Sequence, residues 1–249
     1  MYHVTNIARG LLVGSVALAA VFGAAGAAAA APAPERVISD ARSGAARGAT
    51  PALARTIVHQ VPRVAFTVNG VAGRGSQISR YDGRAVYFIA HPAKAGQPAR
   101  LEGYTNLRTF KAETARIDAA ARRAAQARLG ATAAAAPRLR ATGAGTALPA
   151  LTTDRSWFYE HGNFGGNRFS MRVGTAVNDL TRYNMSCFLW WCTSWNDQLS
   201  SVGATGWNGT FLYEHILYQG SAIYFPPGYV APNLGVWGWN DRASSIWVR

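Results

Sequence analysis

The last hundred residues of the chain repeat themselves, and that repeat restricts the fold more than any other feature. Phe158-Tyr159-Glu160-His161-Gly162-Asn163-Phe164-Gly165-Gly166 aligns with Leu212-Tyr213-Glu214-His215-Ile216-Leu217-Tyr218-Gln219-Gly220 at an offset of 54. Trp195-Asn196-Asp197-Gln198-Leu199-Ser200-Ser201-Val202 aligns with Trp239-Asn240-Asp241-Arg242-Ala243-Ser244-Ser245-Ile246 at an offset of 44. The first copy therefore holds ten additional residues, between Leu180 and Trp195, and the two cysteines lie among them. A unit that recurs in this way buries its apolar face against its twin. Each copy reads as short strands: residues 157–161 form one, 163–166 turn the chain, and 167–171 return it with Phe169 inward. Four strands per copy predict an all-β C-terminal domain over 154–249, two Greek-key motifs closing into a two-sheet sandwich. All eight Trp and 20 of the 28 aromatic residues fall in that stretch, enough to fill such a core.

Three elements recur in both copies: an aromatic-Tyr-Glu-His start, an aromatic-x-Gly turn (Phe164-Gly165-Gly166, Tyr218-Gln219-Gly220) and Asn-Asp-x-x-Ser-Ser. Together they resemble the signature of βγ-crystallin domains. The resemblance covers 154–249 and does not reach 1–153. It implies a βγ-crystallin-like sandwich and, as in the microbial members, calcium held between paired loops. On that resemblance Asn196 and Asn240 reach across. The carbonyls of Gln198 and Arg242 and the hydroxyls of Ser200 and Ser244 come from the partner loop, and a carbonyl at Glu160 or Glu214 joins the shell. The chemistry suits the ion: calcium is hard and takes six to eight oxygens, which amides, carboxylates, hydroxyls and carbonyls supply. With few carboxylates per ion the expected affinity is modest, roughly 10⁻⁶–10⁻³ M. The charge of Arg242 is expected to weaken its site relative to the one using Gln198. The plainer reading makes each element a capped corner, its Ser and Asp satisfying backbone amides. The fold also resembles that of secreted metalloproteinase inhibitors, which implies an alternative function.

The first 153 residues differ in kind. They carry the whole formal charge of +13, whereas 154–249 hold six Arg and six acids. A short basic start, an apolar run over residues 10–26 and small residues ending at Ala31 predict a signal peptide over 1–31. A retained anchor is the other reading of such a run. Export makes the protein secreted, its only contact with a membrane being the signal segment before cleavage, and the Arg-rich, Ala-rich composition suggests a bacterial source. Residues 32–56 read as a flexible spacer, 57–130 as a small basic α+β region of unassigned role, and 131–153 as a linker. Within 57–130, strand-length runs at 64–68, 85–90 and 99–104 precede a helix over 107–129, capped by Thr105 or Asn106 and ended by Gly130.

Catalytic patterns are absent: there is no His-Glu-x-x-His, Gly-x-Ser-x-Gly or Gly-x-x-x-x-Gly-Lys. His161 and His215 occupy equivalent repeat positions, the behaviour of fold residues. The basic region lacks interleaved aromatics, which argues against nucleic acid. An anionic cell-surface polymer suits it better, and solubility alone is the equally open reading. Cys187 and Cys192 in an exported chain read as a local disulfide, and two thiolates do not make a zinc shell. The bond would hold Phe188, Leu189, Trp190 and Trp191 in a small ring. Such a ring is either a binding loop, for an extracellular protease or for a lipid or wall component, or a lid folded over one end of the sandwich.

Overall fold

The computed structural model describes residues 56–94, 96–135, 154–204 and 209–249. The predicted signal peptide, nearly all of the spacer and the linker beyond residue 135 lie outside them. The chain enters with β1 (Ala65–Val68) and β2 (Val71–Gly73), joined by Asn69-Gly70, both at positive φ as a two-residue hairpin turn requires. β3 (Tyr87–His91) and β4 (Arg100–Tyr104) follow, close to their predicted positions. Asn106 caps helix α1 (Leu107–Ala135), its Oδ1 accepting the amides of Arg108 and Thr109 at 2.8 and 3.1 Å. The helix runs through Gly130 rather than ending there. The alanines beyond it offset the cost of one glycine, about 1 kcal/mol.

The repeat then unfolds as predicted, into β5 (Arg155–His161), β6 (Gly165–Arg172), β7 (Ala176–Val177), β8 (Asn184–Phe188), β9 (Trp191–Ser194) and β10 (Ser201–Ala204), followed by β11 (Thr210–His215), β12 (Gln219–Phe225), β13 (Val230–Ala231) and β14 (Ser245–Val248). One sheet has the order β13-β10-β5-β6, and the other contains β12-β11-β14-β7. Each therefore holds three strands of one repeat and the short third strand of the other. This exchange locks two Greek keys into one sandwich. Phe158, Leu212, Val202, Ile246, Trp195 and Trp239 fill the space between. The extra residues of the first repeat form β8 and β9, a separate two-stranded hairpin.

The basic region does not stand apart. β3 pairs in parallel with β12, Tyr87 opposite Ala222 and Ile89 opposite Tyr224, so the second sheet continues as β2-β1-β4-β3-β12-β11-β14-β7. The boundary expected between 57–130 and 154–249 is thus bridged by a common sheet. Alternation along these strands sends Phe88, Leu212, Ile223 and Phe225 to the sandwich interior. Tyr87, Phe211, Tyr213 and Tyr224 face the other way, under Phe110, Leu107 and Ile117 of α1. A buried contact pins the helix: Asp118, 1% exposed, accepts from the Tyr224 hydroxyl and from Arg249 Nη1 at 3.0 Å.

Residues 57–63 form a strap over the second repeat. Arg63 N donates to Val236 O at 2.9 Å, and Gln60 Nε2 to Asn240 O at 2.8 Å. Gly238, at φ 69°, lies so close that a Cβ there would sit 2.5 Å from Gln60 O. His59 is buried against Phe88, with its Nε2 3.1 Å from Arg84 O. Burial first, and then the charge of Arg242, hold its imidazole below the usual 6.5. Burial likewise lowers His91, which contacts Glu102. The fold thus favours neutral histidine, and its contribution is complete above about pH 6.5 and lost as pH falls through the lowered folded-state value. Stability is expected to fall as pH drops below about 6.5, and His59→Gln to flatten that fall, as read by thermal melts on both sides of that value.

Candidate metal centre

Two folded hairpins position the loops. In each repeat, ladder pairing shifts at the Glu of Tyr-Glu-His, between Tyr159 and His161 and between Tyr213 and His215. Such an irregularity takes a residue out of the regular ladder. The next turn uses left-handed residues, Asn163 and Phe164 in one copy and Leu217 and Tyr218 in the other, with Gly166 and Gly220 at φ 73° and 75°. A Cβ at Gly220 would lie 2.7 Å from the His215 ring, so Tyr-Glu-His and the glycine form one packed corner. The Glu carboxylates secure it: Glu160 Oε2 accepts Asn167 N at 3.0 Å, and Glu214 Oε2 accepts Ser221 N at 3.1 Å.

The sixth residue of each Asn-Asp-x-x-Ser-Ser element latches onto this corner. Ser201 Oγ donates to His161 O at 2.7 Å and accepts Phe164 N at 3.1 Å. Ser245 Oγ makes the same pair with His215 O and Tyr218 N, at 2.7 and 3.1 Å. The fifth residue faces elsewhere. Ser200 Oγ donates to Asp241 Oδ1 at 3.0 Å, and Ser244 Oγ to Asp197 Oδ1 at 3.3 Å. Each contact joins the two repeats. Backbone bonds hold the crossing, Asp197 N to Ala243 O at 3.0 Å and Asp241 N to Leu199 O at 3.0 Å.

The residue that reaches across is therefore the second of the element, Asp197 or Asp241. The first, Asn196 or Asn240, was expected there. Instead each asparagine donates its Nδ2 to the carboxylate beside it, at 2.7 and 2.6 Å, and steadies the crossing acid. Asn196 Oδ1 is buried and accepts nothing among the described residues. Two oxygen clusters result. One gathers Ser200 with Asp241, where Ser200 N also donates to Tyr159 O at 3.1 Å, and Asp241 is exposed. The other gathers Ser244 with Asp197, next to Glu214 and Arg242, and is largely buried. Desolvation holds the Asp197 carboxyl above its usual range, against the pull of the Ser244 and Asn196 hydrogen bonds.

The donor set fits a hard cation. Ligands at about 2.4 Å that subtend roughly 75–90° lie about 3.0–3.4 Å apart, which matches both hydroxyl–carboxylate separations. Among the described residues no three His, Cys, Asp or Glu side chains cluster, so each site would rest on one carboxylate with neutral oxygens. Arg242 is less of an obstacle than its charge suggests. Its guanidinium turns away to Glu214 Oε1 at 2.6 Å and Gly238 O at 3.1 Å, and stacks on Trp239, so the charge is offset within the fold.

These features, crossed third strands, paired folded corners and crossed serine–acid loops, give residues 154–249 the two-Greek-key sandwich that the resemblance to βγ-crystallin domains implied. No family profile matches the chain, and no curated protein does. Among solved structures it is similar to a βγ-crystallin from Ciona intestinalis, at 24% identity over 38% of this chain and 99% of that one, with a TM-score of 0.29. A βγ-crystallin from an archaeon is also 24% identical, over 39% and 100% of the two chains, at 0.28. A βγ-crystallin domain from Clostridium beijerinckii is 22% identical, over 37% and 93%, at 0.29. At these identities the likenesses carry no residue roles over; the strand order and the corners define the fold.

Proposed function

We propose that this is an exported, non-catalytic protein whose βγ-crystallin-type domain binds calcium at the two crossed loops. The observation that supports this best is the reciprocal pair of contacts, Ser200 to Asp241 and Ser244 to Asp197. A corner needs only its own serine latch, which Ser201 and Ser245 already provide. The second, crossing pair brings a carboxylate from one repeat to a hydroxyl from the other. When bound, calcium would neutralise that carboxylate and join the two Greek keys. Asp197, Asp241, Ser200 and Ser244 would hold it by side chains, and Gln198, Arg242, Glu160 and Glu214 by carbonyls.

Only the folded loops present these oxygens together, so binding stabilises the fold by linkage. At an ion concentration of about 100 Kd each site adds ~2.7 kcal/mol. At ~2–4 °C per kcal/mol for a chain of this size, calcium is expected to raise the melting temperature of chelator-treated protein by about 5–10 °C per site. Ser200→Arg with Ser244→Arg should abolish the rise. An unchanged melt at millimolar calcium would reduce the loops to corners. The alternative function, proteinase inhibition through the Cys187–Cys192 hairpin, gains nothing from the geometry beyond the exposure of its tip.

A further inference from the structure

β8 and β9 pair with Cys187 opposite Cys192, joined as a disulfide, and Phe188 opposite Trp191. Leu189, at φ 55°, and Trp190 make the turn. The lid expected as one reading of these residues does not form. Phe188, Leu189, Trp190 and Trp191 are 78, 70, 80 and 76% exposed. They form the largest run of exposed apolar side chains among the described residues, on an element that the second repeat lacks.

We propose that this hairpin inserts its tip into the interfacial layer of an anionic lipid bilayer, Leu189 and Trp190 leading. Its shape selects the partner. All four residues stand free, as a wedge that a fluid layer can surround. The backbone is prepared too, since pairing of Phe188 with Trp191 satisfies main-chain groups that would be costly to bury in lipid. Tryptophan is the residue type that settles at the boundary between headgroups and acyl chains. The disulfide holds the wedge in one conformation, so little entropy is lost on entry.

The charge around the tip matches an anionic surface. Residues 180–196 contain no carboxylate. Arg182, at the foot of the hairpin, is 82% exposed in its side chain although its Nε pairs with Asp179 Oδ2 at 3.3 Å. Exposed Arg168 and Arg172 lie on β6, which packs beside β8. Their long side chains can reach phosphates while the tip is buried. Residues 154–249 as a whole hold six Arg and six acids, so the attraction rests on these arginines rather than on net charge. Among the described residues no helix is long and apolar enough to cross a membrane, so through this tip the contact is peripheral.

The test compares the full chain with its Trp190→Ala, Trp191→Ala variant, in chelator so that no ion bridges protein and lipid. The probes are phosphatidylcholine vesicles with and without phosphatidylglycerol, some carrying brominated acyl chains that quench buried tryptophan. Residues 10–26 are apolar and common to both proteins, so the reading is the difference between them. The parent is expected to partition at least about tenfold more strongly than the variant, given the area of two indoles. It should also show quenching that the variant lacks, and bind more tightly with phosphatidylglycerol, while both melt at the same temperature. Equal partitioning and equal quenching would overturn the proposal. So would self-association of the parent through the tip without lipid quenching. A melting temperature lowered by more than about 8 °C in the variant would make the tip a structural element and overturn it as well. Should that variant fail to fold, Leu189→Ser at the turn carries the same comparison.

Discussion

Residues 150–249, produced without the preceding region, are expected to aggregate, or to melt far below the full chain. In an isolated sandwich the outer face of each sheet meets water, and the first repeat is built for that: β5 alternates, and β6 is largely exposed. The second is not. β11 and β12 are buried on both faces, and Phe211, Tyr213 and Tyr224 lie under Phe110 and Tyr87. Removing the cover strips several rings, each worth roughly 1.5–3 kcal/mol of burial. The sum approaches the whole stability of a typical domain, about 5–15 kcal/mol. It also opens the edge of β12, a ready site for pairing with another chain. Size-exclusion chromatography and calorimetric melting check this. A monodisperse fragment melting within a few degrees of the full chain would show that the region is only a passenger.

Asp118→Ala should cost about 3 kcal/mol and lower the melting temperature by about 10 °C. The carboxylate is buried, and its loss leaves both the Tyr224 hydroxyl and Arg249 Nη1 without their acceptor. Burial and the carboxylate together push the Tyr224 hydroxyl well above its usual value, so it remains a donor throughout the working range. Arg249 keeps contacts to Trp247 and Phe211 and is partly open to water, which limits the damage. Asp118→Asn retains an acceptor and should cost less. Equal melts for Asp118→Ala and the parent would mean that the helix is held by its apolar face alone.

Both effects come from a part of the molecule the sequence described only locally. The repeat announced two Greek keys, because turn glycines, Tyr-Glu-His and Ser-Ser recur at fixed spacing. The strands at 64–68, 85–90 and 99–104 were legible from alternation and flanking turns. The parallel pairing of β3 with β12, which carries the others into the same sheet, was not, since it joins residues 135 apart, such as Tyr87 and Ala222. One trace was present in the unbroken apolar run Ala222-Ile223-Tyr224-Phe225, which suits a strand buried on both faces better than an alternating one. At the loops, residue types were legible but reach was not. Asn196 and Asp197 both offer a side-chain oxygen at similar reach, and the backbone, with Asp197 and Asp241 at φ 54° and 52°, decides which one crosses. Exposure of the hairpin tip was undecidable from composition, because a lid and a wedge use the same residues.

The central claim is that each ion is held by an acid of one repeat and a serine of the other. Calorimetric titration of the full, chelator-treated chain with calcium tests it most directly, beside Asp197→Ala and Asp241→Ala. Two sites are expected in the parent and one in each variant. Adding Ser244→Arg to Asp197→Ala should change nothing further, because both residues serve the same ion, whereas adding Ser200→Arg should abolish binding. The reverse pattern, Ser200→Arg silent and Ser244→Arg fatal in the Asp197→Ala background, would place each ion within one repeat and contradict the crossed geometry. Absence of calcium heat in the parent would contradict the function itself.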